Sequence, residues 1–114
     1  MQPNKAIDEV LKNNLISVIE RDDGAGLYRF RIGKLQAVVT VNIKRLDGGF
    51  VEYASSHGIK TPEQADAYFS SNTTSRDWAS ALEKAIEDLL VDYRAAVAKG
   101  YQPEESWLVP RNAG

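Results

Sequence analysis

His57 is the only histidine in the chain, and it stands beside Ser55 and Ser56 in the segment SSHGIK. A serine next to a base is the raw material of acyl transfer, which also needs an orienting acid and an oxyanion hole. Neighbours in sequence rarely reach that geometry, so the competing reading is an ordinary loop histidine. A small enzyme using His57 with a carboxylate is one of three functional readings the residues allow.

A second set is acidic. Glu83 and Glu87 lie four apart, as do Asp88 and Asp92. On a helix such pairs face one another and repel. A basic partner surface would relieve that repulsion, and the competing reading is a plain solvated face. This set carries the reading of a non-catalytic protein-binding module, such as an inhibitor, with no catalytic residue.

A third set is basic: Arg29, Arg31, Lys44 and Arg45, with Tyr28 and Tyr53 near them. Arginine interleaved with aromatic side chains on a sheet can stack on and neutralise single-stranded nucleic acid. The competing reading is an outer sheet face whose arginines pair with Glu52 and with helix carboxylates. Net charge is -2, yet it is segregated: residues 27–60 carry +4, and the flanks on either side are acidic. Acidic flanks repel a long polyanion, which favours a short contact or an acidic protein surface.

Metal and cofactor chemistry find little support. One histidine and no cysteine leave only carboxylate ligands. Asp22-Asp23 lacks the ligand spacing of a calcium loop. Gly24-Ala25-Gly26 lacks the strand-to-helix context and the lysine of a phosphate loop. No metal or cofactor is expected. No apolar run approaches the ~20 residues that span a bilayer, and the first residues do not read as a secretory signal. The expected setting is the cytoplasm of a bacterial or phage-infected cell, away from membranes.

The elements that must position these groups follow from periodicity. Between residues 74 and 100, Trp78, Leu82, Ala85, Ile86, Leu89, Tyr93, Ala96 and Val97 recur at steps of three and four. That spacing puts them on one face of a long helix. Thr74 with Asp77 reads as its N-terminal capping box, and Lys99-Gly100 as its stop. A first helix is expected over residues 3–13, from Ile7, Val10 and Leu11. Residues 15–21 fit either a helix extension or a strand, and the β-branched Ile16, Val18 and Ile19 favour the strand.

Three strand patterns follow. Residues 27–32 alternate Tyr28, Phe30 and Ile32 with Arg29 and Arg31. Residues 36–46 alternate Ala37, Val39, Val41 and Ile43 with Val38, Thr40, Asn42 and Lys44. Residues 50–54 return after Asp47-Gly48-Gly49, a hairpin signal. Arg29 and Arg31 then share a face with Thr40, Asn42 and Lys44. Thr61-Pro62-Glu63-Gln64 is a second capping-box pattern and predicts a short helix over residues 62–69. In the tail, Trp107 is expected to anchor the segment to the body.

Together these predict one α+β domain over residues 1–114: an N-terminal helix, a three- or four-stranded antiparallel meander, a short helix, and the long helix packed on the sheet. Open strand edges would also permit a homodimer.

From about residue 36 to 105 the layout resembles the HicB-like antitoxin domain. The carrying residues are the hairpin around Asp47-Gly48-Gly49, the helix start Ala81-Leu82-Glu83-Lys84-Ala85-Ile86, and the end Lys99-Gly100-Tyr101-Gln102-Pro103-Glu104. The resemblance implies a third strand at residues 68–71, in place of the short helix. It implies an antitoxin-like regulator that neutralises a protein partner by binding it, and no catalytic residue. The family's Pro-Gly between its second and third strands is absent here, residues 1–35 have no counterpart, and no DNA-binding module follows.

Overall fold

The structure, a computed structural model, describes residues 3–111. The last three residues of the tail, 112–114, lie outside the described part. The elements run α1 (Pro3–Leu11), β1 (Ile16–Asp22), β2 (Leu27–Ile32), β3 (Val39–Arg45), β4 (Val51–Ser55), β5 (His57–Ile59), β6 (Thr74–Ser75), α2 (Trp78–Ala98) and β7 (Leu108–Pro110). The expected α+β order is present. Residues 16–22 are strand, as their β-branched side chains favoured. β1, β2, β3, β4 and β6 form one antiparallel sheet in that order, and β5 pairs with β7 in a second, two-stranded sheet.

Alternation along the strands sets the two faces. Tyr28, Phe30 and Ile32 of β2, with Val39, Val41 and Ile43 of β3 and Val51 and Tyr53 of β4, point inward. They meet Leu82, Ala85, Ile86, Leu89, Leu90 and Tyr93 of α2, and Ile7 of α1, in one core. The helix is therefore held by its apolar stripe, not by helix propensity alone. The opposite face of the sheet is wet, as antiparallel sheets permit. β1 leaves an open edge with Val18 and Ile19 exposed. A bulge between Val18 and Glu20 interrupts its register, a device that works against edge-to-edge pairing.

A chain of polar contacts fastens the start of α2 to the sheet. The Trp78 indole N–H donates to the Tyr28 hydroxyl (2.9 Å), which donates to Asp23 (3.0 Å). Arg21 donates to both oxygens of that carboxylate (3.0 and 2.9 Å) and reaches Asp8 on α1. The Arg21 guanidinium holds the Asp23 carboxyl below the usual range, and burial pushes the Tyr28 phenol up to about 12. Gly26 permits this packing, since a Cβ there would lie 2.1 Å from the Ile43 carbonyl and 3.0 Å from the Trp78 ring.

Two local readings give way to tertiary structure. The Thr61–Gln64 capping contacts form: Thr61 N–H donates to Gln64 Oε1 (2.8 Å) and Glu63 N–H to Thr61 Oγ1 (3.3 Å). No helix follows over residues 62–69. Tyr68 instead pairs with Ile59, N–H to carbonyl in both directions (2.7 and 3.3 Å). Gly58 lets the chains approach, because a Cβ there would fall 2.5 Å from the Tyr68 carbonyl. Residues 68–71 form no strand beyond that single bridge. At α2 the cap is Asp77, which accepts from Ser80 N–H (2.8 Å), while Thr74 pairs with Glu52 in β6. At the other end Gly100 (φ 98°) closes the helix with Tyr101 N–H on the Ala96 carbonyl (3.1 Å). Trp107 docks as expected, buried and edge-on to Tyr93 with centroids 5.7 Å apart.

Leu89 is buried in the centre of this core, so Leu89→Ala should destabilise the fold by about 2–5 kcal/mol in urea unfolding. Val97 is 42% exposed, and Val97→Ala should leave the midpoint within the spread of surface substitutions. Near-identical midpoints for wild type and Leu89→Ala would contradict the packing of α2 on the sheet.

Candidate functional site

The apolar stripe of α2 leaves one flank at the border between helix and sheet. Asp88 lies there, half-buried, and accepts a 2.5 Å hydrogen bond from the Tyr53 hydroxyl on β4. Burial raises the Asp88 carboxyl above its ordinary value, with the Tyr53 bond acting against that rise. Burial, and then the neighbouring carboxylate, pushes Tyr53 up to about 12. The short bond thus joins an acid that resists losing its proton to a phenol that keeps its own.

Next to this pair lies an open groove of about 380 Å³, lined by Tyr68, Glu87, Asp88, Val91 and Asp92. Its apolar part is Val91 (55% exposed) and Tyr68 (42% exposed). Glu87 is engaged by Arg94 at 2.6 Å. Asp92 has no hydrogen-bond or ion-pair partner among the described residues. Three of the four acidic candidates therefore converge. The fourth, Glu83, sits instead in a neighbouring groove between α1 and α2 with Glu9, Lys12 and Asn13, which Glu87 also lines.

The basic candidates do not form one patch. Arg29, Arg31 and Lys44 share the wet face, as alternation required. There Arg29 pairs with Glu20 (3.1 Å), Lys44 with Glu52 (3.5 Å), and Arg31 donates to the Gln36 carbonyl (3.1 Å). Arg45 lies opposite the inward-pointing Val51 and stacks on the Trp78 ring at 5.0 Å, on the helix side. Tyr28 and Tyr53 point into the core, because they occupy the inward positions of their strands. Among the described residues of β2 and β3, no outward aromatic side chain accompanies the outward arginines.

His57 is half-buried on β5, and burial lowers its pKa. Its Nδ1 lies 2.7 Å from Ser56 Oγ. Ser56 Oγ also accepts from Thr40 N–H (2.8 Å), and the Ser56 carbonyl from Arg111 N–H (2.8 Å). The serine is thus tied into the joint where β4 passes into β5. The cavity that His57 shares with Tyr53, Asp88 and Arg111 holds about 10 Å³, space for a single water and not for a substrate. The Ser-His neighbours are hydrogen-bonded, but in a structural setting.

Sequence reasoning missed Tyr53 and Tyr68 as members of the acidic site. Tyr53 is 35 positions from Asp88, and only the sheet brings them together. Val91 did leave a local signal: it is an apolar residue off the buried stripe of α2. No protein-family model matches this chain, and neither does any curated protein or solved structure.

The raised Asp88 value has a measurable sign. The folded state holds this proton at a pH where the unfolded chain has released it. Its contribution to stability is therefore present below the ordinary carboxylate value and is lost as pH rises through the raised one. Asp88→Asn should remove that component. Relative to wild type, the variant should be more stable at pH 7 than at pH 3, read from urea midpoints at the two values. A relative stability that moved the other way would show that the carboxylate, not the acid, is the favoured form here.

Proposed function

We propose that this chain is a non-catalytic protein-binding module that takes a basic side chain of its partner into the α2 groove. The observation that carries the reading is the meeting of an unpaired carboxylate, Asp92, and a partly desolvated one, Asp88, beside exposed Tyr68 and Val91. An arginine or lysine has a matching construction: an apolar stem that packs on Val91 and the Tyr68 ring, and a cationic head for the carboxylates. Repulsion between Asp88 and Asp92 in the free chain falls when that cation arrives. The nucleic-acid reading receives less support, since Arg29 and Lys44 already face Glu20 and Glu52 and Arg45 is turned away.

Within this class the resemblance to the HicB-like antitoxin domain points to a regulator of bacterial or phage origin that acts by occupying another protein in the cytoplasm. It is supported by the order of the β3–β4 hairpin at Asp47-Gly48-Gly49, then α2 ending in Gly100 at positive φ. No helix among the described residues is long and apolar enough to cross a membrane. The bulge in β1 works against a homodimer through that edge, so the reading centres on a different protein as partner.

A peptide with one arginine between leucines, followed by fluorescence anisotropy, tests the reading. Asp92→Lys should weaken binding by about tenfold or more, and added salt should weaken wild-type binding. Arg29→Glu should leave affinity unchanged. Peptide binding insensitive to Asp92→Lys, or binding lost in Arg29→Glu, would remove the groove from the account.

A further inference from the structure

We propose a second site, at the C-terminal end of α2, for a small molecule with an apolar body and a carboxylate head. A groove of about 370 Å³ lies there, within the size range of small-molecule sites. Leu15, Val97, Tyr101 and Pro103 supply apolar walls. Tyr93 lies within it and is 5% exposed, with its ring held edge-on against Trp107. Its hydroxyl rests against Gly33, where a Cβ would lie 2.1 Å away, so the absent side chain makes room for the hydroxyl at that end of the groove. The hydroxyl has no protein partner among the described residues, and since none of their buried side-chain polar atoms lacks one, it opens into the groove.

The polar groups select the head. Lys34 lines the same groove, and its ammonium makes no ion pair among the described residues. An ammonium only donates, and a phenol is free to donate. Two neighbouring charges are engaged elsewhere: Lys99 pairs with Glu63, and the Glu105 oxygens accept from the Gln36 and Ala37 N–H groups (2.7 and 3.0 Å). The Ala95, Ala96 and Val97 carbonyls at the end of α2 already accept from Lys99, Gly100 and Tyr101. Two donors with no protein acceptor, one of them cationic, at an apolar groove suit an anionic acceptor on an apolar stem. A carboxylate accepts from both and neutralises Lys34, whereas a neutral alcohol only accepts.

The probe is octanoate, kept below its micelle threshold and titrated into the ¹⁵N-labelled full chain, with 1-octanol as the neutral control. Saturable amide shifts are expected at Gly33, Lys34, Gly100 and Tyr101, with octanol weaker by about tenfold. Lys34→Gln should weaken octanoate by a similar factor and leave octanol unchanged. Asp92→Lys, in the other groove, should leave octanoate binding intact. Equal affinity for octanol, or shifts that neither saturate nor cluster at these residues, would overturn the proposal. An unchanged spectrum at millimolar octanoate would do the same. A well-dispersed Lys34→Gln spectrum separates lost binding from lost folding.

Discussion

The apolar stripe of α2 can leave water only against the inner face of the sheet, and most of the molecule's arrangement follows from that requirement. It forces Tyr28, Phe30 and Ile32 inward and, by the two-residue period of a strand, sends Arg29 and Arg31 outward. It also fixes the rotation of the helix. With Leu82, Leu89 and Tyr93 buried, Asp88 has to lie at the border, where Tyr53 reaches it. The relay from Trp78 through Tyr28 and Asp23 to Arg21 sets the position of the helix start, and Trp107 against Tyr93 fixes the far end. Charge placement is thus a by-product of core packing.

That by-product has an energetic consequence. Four acidic side chains on one helix repel, and the fold answers each of them differently. Tyr53 donates to Asp88, Arg94 neutralises Glu87, and Glu83 faces the Lys12 side of α1. Asp92 is left unanswered beside the exposed Val91. An isolated surface carboxylate is ordinary, and so is an exposed valine. Their meeting in one groove with a desolvated aspartate is the basis of the proposed preference for cations with an apolar stem. The wet sheet face has its own arginines, but Glu20 and Glu52 stand opposite two of its three cations, which weakens its field for a polyanion.

Where the determinants are local, they were legible. The three-and-four spacing of α2, the alternation of β2 and β3, and Asp47-Gly48-Gly49 act over a few residues, and each formed the expected element. Residues 62–69 show the limit. Their capping contacts do form, yet the backbone of Tyr68 pairs with Ile59 across a gap that only Gly58 permits, and no propensity in the segment reveals that partner. Thr74 and Asp77 are a similar case: both can cap, and the pairing of Thr74 with Glu52 leaves the role to Asp77. The acidic half of the site was readable as a helix face. Of its apolar half, Val91 left a signal as an apolar residue off the buried stripe, and Tyr68 left none, because it arrives from a loop whose path is set by β5. Arg45 was grouped with the outer face, although the two-residue period of β3 puts it on the helix side with Val41 and Ile43, where it stacks on Trp78.

The central claim is that the chain meets its partner through α2 and not through the arginines of the sheet. Two parallel amide-shift titrations address it most directly, one with the leucine-flanked arginine peptide and one with a short single-stranded oligonucleotide. The account predicts that the peptide moves the amides of Tyr68 and of residues 87–92, and that the oligonucleotide moves none. Shifts confined to Arg29, Arg31 and Lys44 on adding the oligonucleotide, with α2 unmoved by the peptide, would contradict it.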